Sequence, residues 1–226
     1  MYNCYMCYMK NVINIFWILA FLIVPATVSA GDFENLIQNL HSQDTAAQIS
    51  AVRELAKRRD ERAVEALLTF VFTKAEDWKV KIRAIGLLGE IPSLDVSDKL
   101  VTVFNDPFLN DECPAMKWHT AVALGQRFNK GTRAVGTLIE ALTYKNLLIQ
   151  EAAVQSLGKI GDPAAVPYLV AALDDNRFAI KYNAVKALES IGSREAIPFL
   201  QKSANEEKDA FLREEIRKTI RNIGSN

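Results

Sequence analysis

Few residues in this 226-residue chain have the types and spacing that catalysis or metal binding requires. The two histidines, His41 and His119, are far apart in sequence, and neither is followed by glutamate. Zinc and non-haem iron sites need several histidine, cysteine or carboxylate ligands that converge on one point. The sequence therefore predicts no metal site, and it indicates no cofactor.

Cys113 is the single cysteine after residue 7, so the chain beyond that point has no partner for an internal disulfide. A cysteine acts as a nucleophile only when a base lies nearby, and His119, six residues on, offers a weak pairing. Cys4 and Cys7 have redox spacing but lie in a segment that we expect to be removed. There is no phosphate-binding glycine loop and no G-x-S-x-G or H-E-x-x-H motif. We therefore assign no catalytic residue.

The N-terminal 30 residues have the composition of a secretory signal peptide. Residues 12–24 are apolar apart from Asn14, Lys10 precedes them, and small residues at Val28-Ser29-Ala30 suit a cleavage site. A membrane span needs about 20 apolar residues, so a retained anchor is the less favoured interpretation. The sequence predicts residues 1–30 as signal peptide and an exported chain, periplasmic or secreted, with no membrane association after cleavage. Translation from Met9 instead of Met1 would give a more ordinary start.

The charge balance bears on the class of partner. The chain has 27 Lys and Arg against 27 Asp and Glu, and no run of basic residues. Nucleic-acid binding depends on clustered basic side chains that contact phosphates. The charge balance therefore argues against nucleic acid as the partner.

Two series of apolar residues repeat along the chain with a period of about 33 residues, which is typical of helical repeat arrays. One series, with a small or apolar residue four positions earlier, comprises Leu55, Leu88, Leu124, Leu157, Leu188 and Ile220. The other comprises Leu36, Leu67, Leu100, Leu138, Leu169 and Leu200. Apolar residues spaced by four mark the buried side of an amphipathic helix.

The turns between these helices carry suitable residues. Gly161 and Gly192 follow the second helix of a pair, where a left-handed residue ends a helix. Asp162 and Ser193 are placed to cap the helix that follows. Because a single short pair cannot bury its apolar side alone, the pairs must stack. The sequence predicts an all-α protein, an α-solenoid of about six helix pairs over residues 31–226.

The segments AAVQSLGKIGDPAAVPYLVAAL, NAVKALESIGSREAIPFL and AIGLLGEI resemble HEAT-like repeats of the phycobilin-lyase type. The resemblance covers about residues 33–223 and implies the solenoid fold. It implies function less sharply, because the family includes lyase subunits, hydroxylases and scaffolds. The related deoxyhypusine hydroxylases hold iron through His-Glu pairs, which are missing here. The acid and base that the family often has at its turns correspond here to Asp111 with Lys117, Asp175 with Lys181, and Glu207 with Arg213, and we interpret them as structural contacts. Gln48 and Gln150 depart from that pattern.

One column of residues on the predicted helices lies opposite the buried side. Its members are Ile49, Ile82, Trp118, Glu151, Tyr182 and Glu214. Exposed apolar and aromatic residues in a row indicate a binding strip, although a different helix rotation would bury them between helix pairs. With polar neighbours, the candidate partner-binding residues are Ile82, Arg83, Trp118, Gln155, Tyr182 and Lys186.

A longer loop, residues 105–114, interrupts the period in the third repeat. It is either part of the binding face or a tolerated insertion. The sequence thus predicts an exported scaffold or adaptor for protein–protein interaction. The alternative is a lyase-type enzyme or enzyme-maturation subunit that acts with a partner.

Overall fold

The computed structural model describes residues 28–74, 76–107, 109 and 114–225, and within these ranges it describes side chains from Asp32 onward. Over these ranges the chain forms twelve α-helices and no β-strand. They are α1 (Val28–Leu40), α2 (Thr45–Arg58), α3 (Glu61–Phe72), α4 (Trp78–Gly89), α5 (Leu94–Asn105), α6 (Pro114–Leu124), α7 (Arg133–Ala141), α8 (Leu147–Ile160), α9 (Val166–Ala171), α10 (Phe178–Ile191), α11 (Ile197–Glu206) and α12 (Ala210–Ser225). The predicted all-α class and the number of helices are confirmed.

The predicted signal peptide lies almost wholly outside the described residues, as does Cys113. Among the helices that are described, none has the length and apolar composition that a membrane crossing requires. The chain forms two compact units, one ending at Glu54 and the other beginning at Leu55, so the boundary falls inside α2. In the first unit the buried side chains include Phe33 and Leu40 of α1 and Val52 of α2.

The second unit stacks the even-numbered helices one after another. α4 packs on α6, α6 on α8, α8 on α10, and α10 on α12. The predicted anchors Leu88, Leu124, Leu157 and Leu188 are fully buried in this stack. The last predicted anchor is wrong, because Ile220 is only half-buried. α12 instead buries Leu212, Ile216, Thr219 and Ile223. These residues form one stripe along the helix, as expected for a helix that is packed on one side.

Glycines let the stacked helices approach closely. Gly89, Gly125 and Gly158 each follow an anchor leucine, and each faces a small residue of the next even-numbered helix. A Cβ atom on Gly89 would lie 2.7 Å from Ala123 Cβ, and one on Gly125 would lie 2.6 Å from Ser156 Oγ. These positions therefore require glycine.

A buried hydrogen bond reinforces the contact between α6 and α8. The Ser156 hydroxyl donates to the Ala121 carbonyl oxygen at 2.9 Å. The bond gives a polar side chain in the core a partner, which buried hydroxyl groups need.

The turns follow the predicted chemistry at most points. Gly161 and Gly192 adopt the left-handed conformation, with φ of 73° and 71°. Asp162 is buried, and its carboxylate accepts from the backbone N–H of Ala164 at 2.9 Å and of Gly131, one repeat earlier, at 2.6 Å. Ser193 was predicted to cap in the same way, but its side chain makes no capping bond. At Asp162, by contrast, both carboxylate oxygens are used.

Candidate protein-binding surface

The predicted binding column lies on the even-numbered helices of the stack. Ile82 on α4, Trp118 on α6, Glu151 on α8 and Tyr182 on α10 are all half-buried, and Glu214 on α12 is exposed. The structure therefore lies between the two interpretations of the sequence, since these side chains are neither fully buried nor fully in solvent. Ile49, the remaining member, belongs to the first unit.

One helical turn before this column lie larger exposed residues that the sequence reasoning missed. Trp78, Leu148, Phe178 and Phe211 are 48%, 61%, 47% and 59% exposed. Each precedes a member of the column by three or four residues, which places both on one side of the same helix. The sequence contains a pattern that could have revealed them, because each lies nine or ten residues before an anchor.

Together these residues form a surface that we call the apolar ladder. It consists of Trp78, Ile82, Trp118, Leu148, Phe178, Tyr182 and Phe211. Its members come from five helices that pack consecutively. Trp118 and Leu148 line one groove, and Phe178, Tyr182 and Phe211 contact each other.

A cluster of three aromatic rings lies at one end of the ladder. The centroids of Phe178 and Tyr182 are 5.9 Å apart, and Phe211 on the neighbouring helix lies 6.4 Å and 6.0 Å from them. Such spacing stabilises aromatic pairs while leaving ring surface open to a ligand. The cluster is thus an ordered apolar platform.

A groove of about 410 Å³ opens in the middle of the ladder, between α6 and α8. Its lining residues are Pro114, Ala115, Trp118, Asn146, Leu148, Glu151, Ala152 and Gln155. The Trp118 ring is held by an edge-on contact with His119, with centroids 4.5 Å apart. Burial lowers the pKa of His119, so this imidazole is neutral at pH 7.

The polar residues predicted to assist binding have different surroundings. Arg83 is exposed on α4, next to Ile82. Gln155 lines the groove, and its Nε2 donates to Asn183 Oδ1 at 3.3 Å. Lys186 forms salt bridges with Glu189 and, at 3.5 Å, with Glu215, and the bond to Glu189 is the main reason that its pKa is raised. The fold therefore brings Trp118 and Gln155 into one groove, whereas Lys186 contacts acids of its own chain.

The acids and bases at the turns pair differently from the prediction. Lys181 donates to Glu207, the acid of the following turn, whereas Asp175 binds Arg177 at 2.6 Å. Arg213 donates to the Glu207 backbone oxygen at 3.0 Å instead of its carboxylate. A lysine in the first turn of one helix reaches forward along the stack, so these groups link successive repeats.

Lys117 has aromatic partners. Its Nζ lies 4.9 Å from the centroid of Phe104 and 4.6 Å from that of Tyr144. The acid predicted to pair with it, Asp111, lies outside the described residues. Cation–π contacts therefore hold this side chain.

The Lys181–Glu207 pair makes stability depend on pH. The Lys181 hydrogen bond, aided by the Asp209 N–H, lowers the pKa of Glu207 below that of the unfolded chain. A lowered carboxyl pKa contributes stability above the unfolded value of about 4.3, and that contribution is lost as the pH falls further. We expect Glu207→Gln to lower the free energy of unfolding by about 1 kcal/mol at pH 7. In urea titrations the difference should shrink between about pH 5 and 3.

The exposed neighbour Glu206 provides the matched control. Glu206→Gln should change stability little at either pH. A Glu207→Gln deficit that is the same at pH 7 and pH 3 would contradict the assignment.

No group of three or more His, Cys, Asp and Glu side chains in the described ranges could hold a metal ion. Residues 110–113, with two acids and Cys113, are not in those ranges, so the loop predicted at 105–114 is only partly described.

Comparison with known proteins gives one family. A family model for HEAT repeats matches residues 33–108, 107–179 and 165–221. No curated protein matches the sequence.

Solved structures with similar folds cover most of the chain. The HEAT-like repeats protein of the archaeon Thermococcus onnurineus NA1 is 15% identical with a TM-score of 0.52, over 85% of this chain and 87% of that one. A designed armadillo repeat protein in complex with the peptide (KR)4 is 15% identical with a TM-score of 0.56, over 84% and 98%. The CpcE–CpcF complex of phycocyanin lyase from Nostoc sp. PCC7120 is 21% identical with a TM-score of 0.51, over 80% and 73%. At these identities the likeness establishes the α-solenoid fold alone.

Proposed function

Because this chain belongs to the HEAT-repeat family, we propose that it is a protein-binding scaffold, with no catalysis of its own, whose partner docks on the apolar ladder. The observation that carries the proposal is the row of large apolar side chains on five consecutive helices, four of them about half exposed or more. Contiguous exposed apolar surface of this kind marks interaction sites on soluble proteins. Tryptophan, tyrosine and phenylalanine supply large contact areas at such sites.

The proposal is tested by truncating the ladder. Trp118→Ala and Phe178→Ala should weaken binding of the physiological partner by about 2 kcal/mol or more each, roughly thirtyfold, as central aromatic contacts do. Partner retention on the immobilised protein can be measured by quantitative mass spectrometry. The midpoint of thermal unfolding of each variant shows whether the fold is intact.

A matched control lies on the odd-numbered helices. Phe199 on α11 is an exposed aromatic residue that is not part of the ladder. Phe199→Ala should leave partner retention unchanged. Equal losses in Phe199→Ala and Phe178→Ala, or wild-type retention by both ladder variants, would refute the proposed surface.

We also propose that the chain is exported and works in the periplasm or outside the cell. Residues 1–30 support this by their composition, with Lys10 before an apolar run and Ala30 at the cleavage position. Terminal sequencing of the exported protein should give Gly31 as the first residue. A full-length chain in the cytoplasm would contradict it.

The alternative function, a lyase-type subunit that acts with a partner, rests on likeness of fold. No observation on the described side chains favours it over the scaffold.

A further inference from the structure

We infer that the groove between α6 and α8 receives an arginine or lysine side chain of the partner, set among large apolar residues. The inference rests on the proposed function and specifies the chemistry of the partner. Three observations support the inference: the Glu151 carboxylate lies among the ladder residues, the Trp118 ring lies beside it, and the rest of the groove lining is compatible with a basic side chain.

Glu151 is a carboxylate between apolar members of the predicted column, in which Glu214 is the other acid. At the equivalent position the neighbouring repeats carry Ile82, Trp118 and Tyr182. Glu151 is half-buried and lines the groove, where it is the one charged residue among the described lining side chains. A partly buried carboxylate in apolar surroundings is costly unless a positive charge or hydrogen-bond donors compensate it.

The described part of the chain does not supply that compensation at close range. No salt bridge to Glu151 forms among the described residues. Arg177 is near enough for the Glu151 charge to act on it, but its guanidinium is bound by both carboxylate oxygens of Asp175. The Glu151 carboxylate is therefore open to a cation from outside.

One further polar side chain at the groove, Gln155, suits a cation. The Gln155 amide nitrogen donates to Asn183, which leaves its oxygen as an acceptor. The Asn146 oxygen is already used, because it accepts from the backbone N–H of Leu148 at 3.0 Å. The acceptors left at the groove are thus the Glu151 carboxylate and the Gln155 oxygen, which suit an ammonium or guanidinium donor, whereas the Asn146 amide nitrogen remains a donor.

The apolar part of the lining fits the rest of such a side chain. Trp118 presents a ring for a cation–π contact, and Pro114, Ala115 and Ala152 are small apolar neighbours. Lysine and arginine have an apolar stem and a charged tip, so they match a groove that is apolar along its walls and acidic at one point. An acidic side chain would be repelled by Glu151, and an uncharged one would leave it uncompensated. Apolar neighbours of the basic residue would lie on the platform of Phe178, Tyr182 and Phe211.

The test uses a fluorescein-labelled peptide, GSFLGRGLFSG, and the same peptide with citrulline or glutamate in place of arginine. Citrulline keeps the shape of arginine and removes its charge. Fluorescence anisotropy with the whole protein should give an affinity for the arginine peptide about tenfold higher than for the citrulline peptide, since charged hydrogen bonds differ by that much from neutral ones. The difference should decrease with added salt.

Two variants of Glu151 assign the effect to the groove. Glu151→Gln should remove the preference for arginine while leaving the affinity for the citrulline peptide unchanged, and Glu151→Lys should favour the glutamate peptide. Glu140→Gln, an exposed carboxylate on α7 outside the ladder, should behave as wild type. Unfolding midpoints confirm that each variant is folded.

The outcomes separate the inference from the proposed function. Equal affinity of the wild-type protein for the arginine and citrulline peptides would overturn the cation site, and a loss of both affinities in Phe178→Ala would then still support the ladder. A preference for arginine that persists in Glu151→Gln would also overturn it. Binding of none of the peptides at millimolar concentration would overturn the cation site, whereas the ladder stands or falls with retention of the physiological partner by Trp118→Ala and Phe178→Ala.

Discussion

Replacing Leu157 by alanine is expected to lower the free energy of unfolding by about 2–5 kcal/mol, the range for leucine in a closed core. Leu157 has no solvent exposure and lies on α8, which packs against both α6 and α10. The glycine and alanine contacts on either side bring the helix backbones close together, so the surrounding helices have little room to collapse into the space that is left. The cavity left by the substitution should therefore stay largely open, and the loss of stability should stay close to its full value.

Leu148 supplies a control on the same helix. It is 61% exposed, and Leu148→Ala removes the same atoms from the surface of the ladder. Its effect on stability should stay within about 0.5 kcal/mol, as is usual for surface substitutions. Urea titrations followed by far-ultraviolet circular dichroism measure both variants. Similar losses in the two would show that the anchor series does not mark the core.

Replacing Gly158 by alanine is expected to lower the free energy of unfolding by about 1–3 kcal/mol, because it overpacks a tight helix contact. The added Cβ would lie 2.7 Å from Ala187 Cα and 2.8 Å from Ala187 Cβ. The nearest obstacle is a backbone atom, so relief requires α8 and α10 to move apart instead of a change of rotamer. Intrinsic helix propensity alone would predict the opposite sign, since alanine is favoured over glycine within a helix.

Gly86 separates these two effects. It is exposed within α4, and a Cβ atom there would meet nothing within 4 Å. Gly86→Ala should therefore stabilise the protein by about 0.5–1 kcal/mol. The pair of variants should shift the urea midpoint in opposite directions. A stabilising Gly158→Ala would show that the helices do not approach as closely as described.

Most of the fold follows from sequence periodicity. Buried residues recur every three or four positions within a helix, and the same pattern recurs about every 33 residues along the chain. The anchors Leu88, Leu124 and Leu188 could be placed correctly since each helix must bury one side against its neighbours. Ile220 could not, because the terminal helix has no described helix packed beyond it, and its buried side is set by α10 and α11 alone. The repeat pattern carries no information about that asymmetry.

The candidate site was predictable in part. The column that contains Trp118 and Tyr182 follows from helix geometry, which places one residue per helix directly opposite the core. Phe178 and Phe211 were missed because neither occupies that position, although both lie one turn away on the same side. Their contact with Tyr182 joins two helices, and no pattern within one helix could reveal it.

By itself the sequence determined the helical repeat, its period, the glycine ends of the helices and the class to which the chain belongs. These depend on local conformational preference and on alternation of apolar residues, which are properties of short segments. Only the tertiary structure decided that Lys181 pairs with Glu207, that Gly158 meets Ala187, and that Glu151 and Trp118 line one groove. These contacts join different repeats, so they depend on the rotation and spacing of packed helices, which a repeat pattern leaves open.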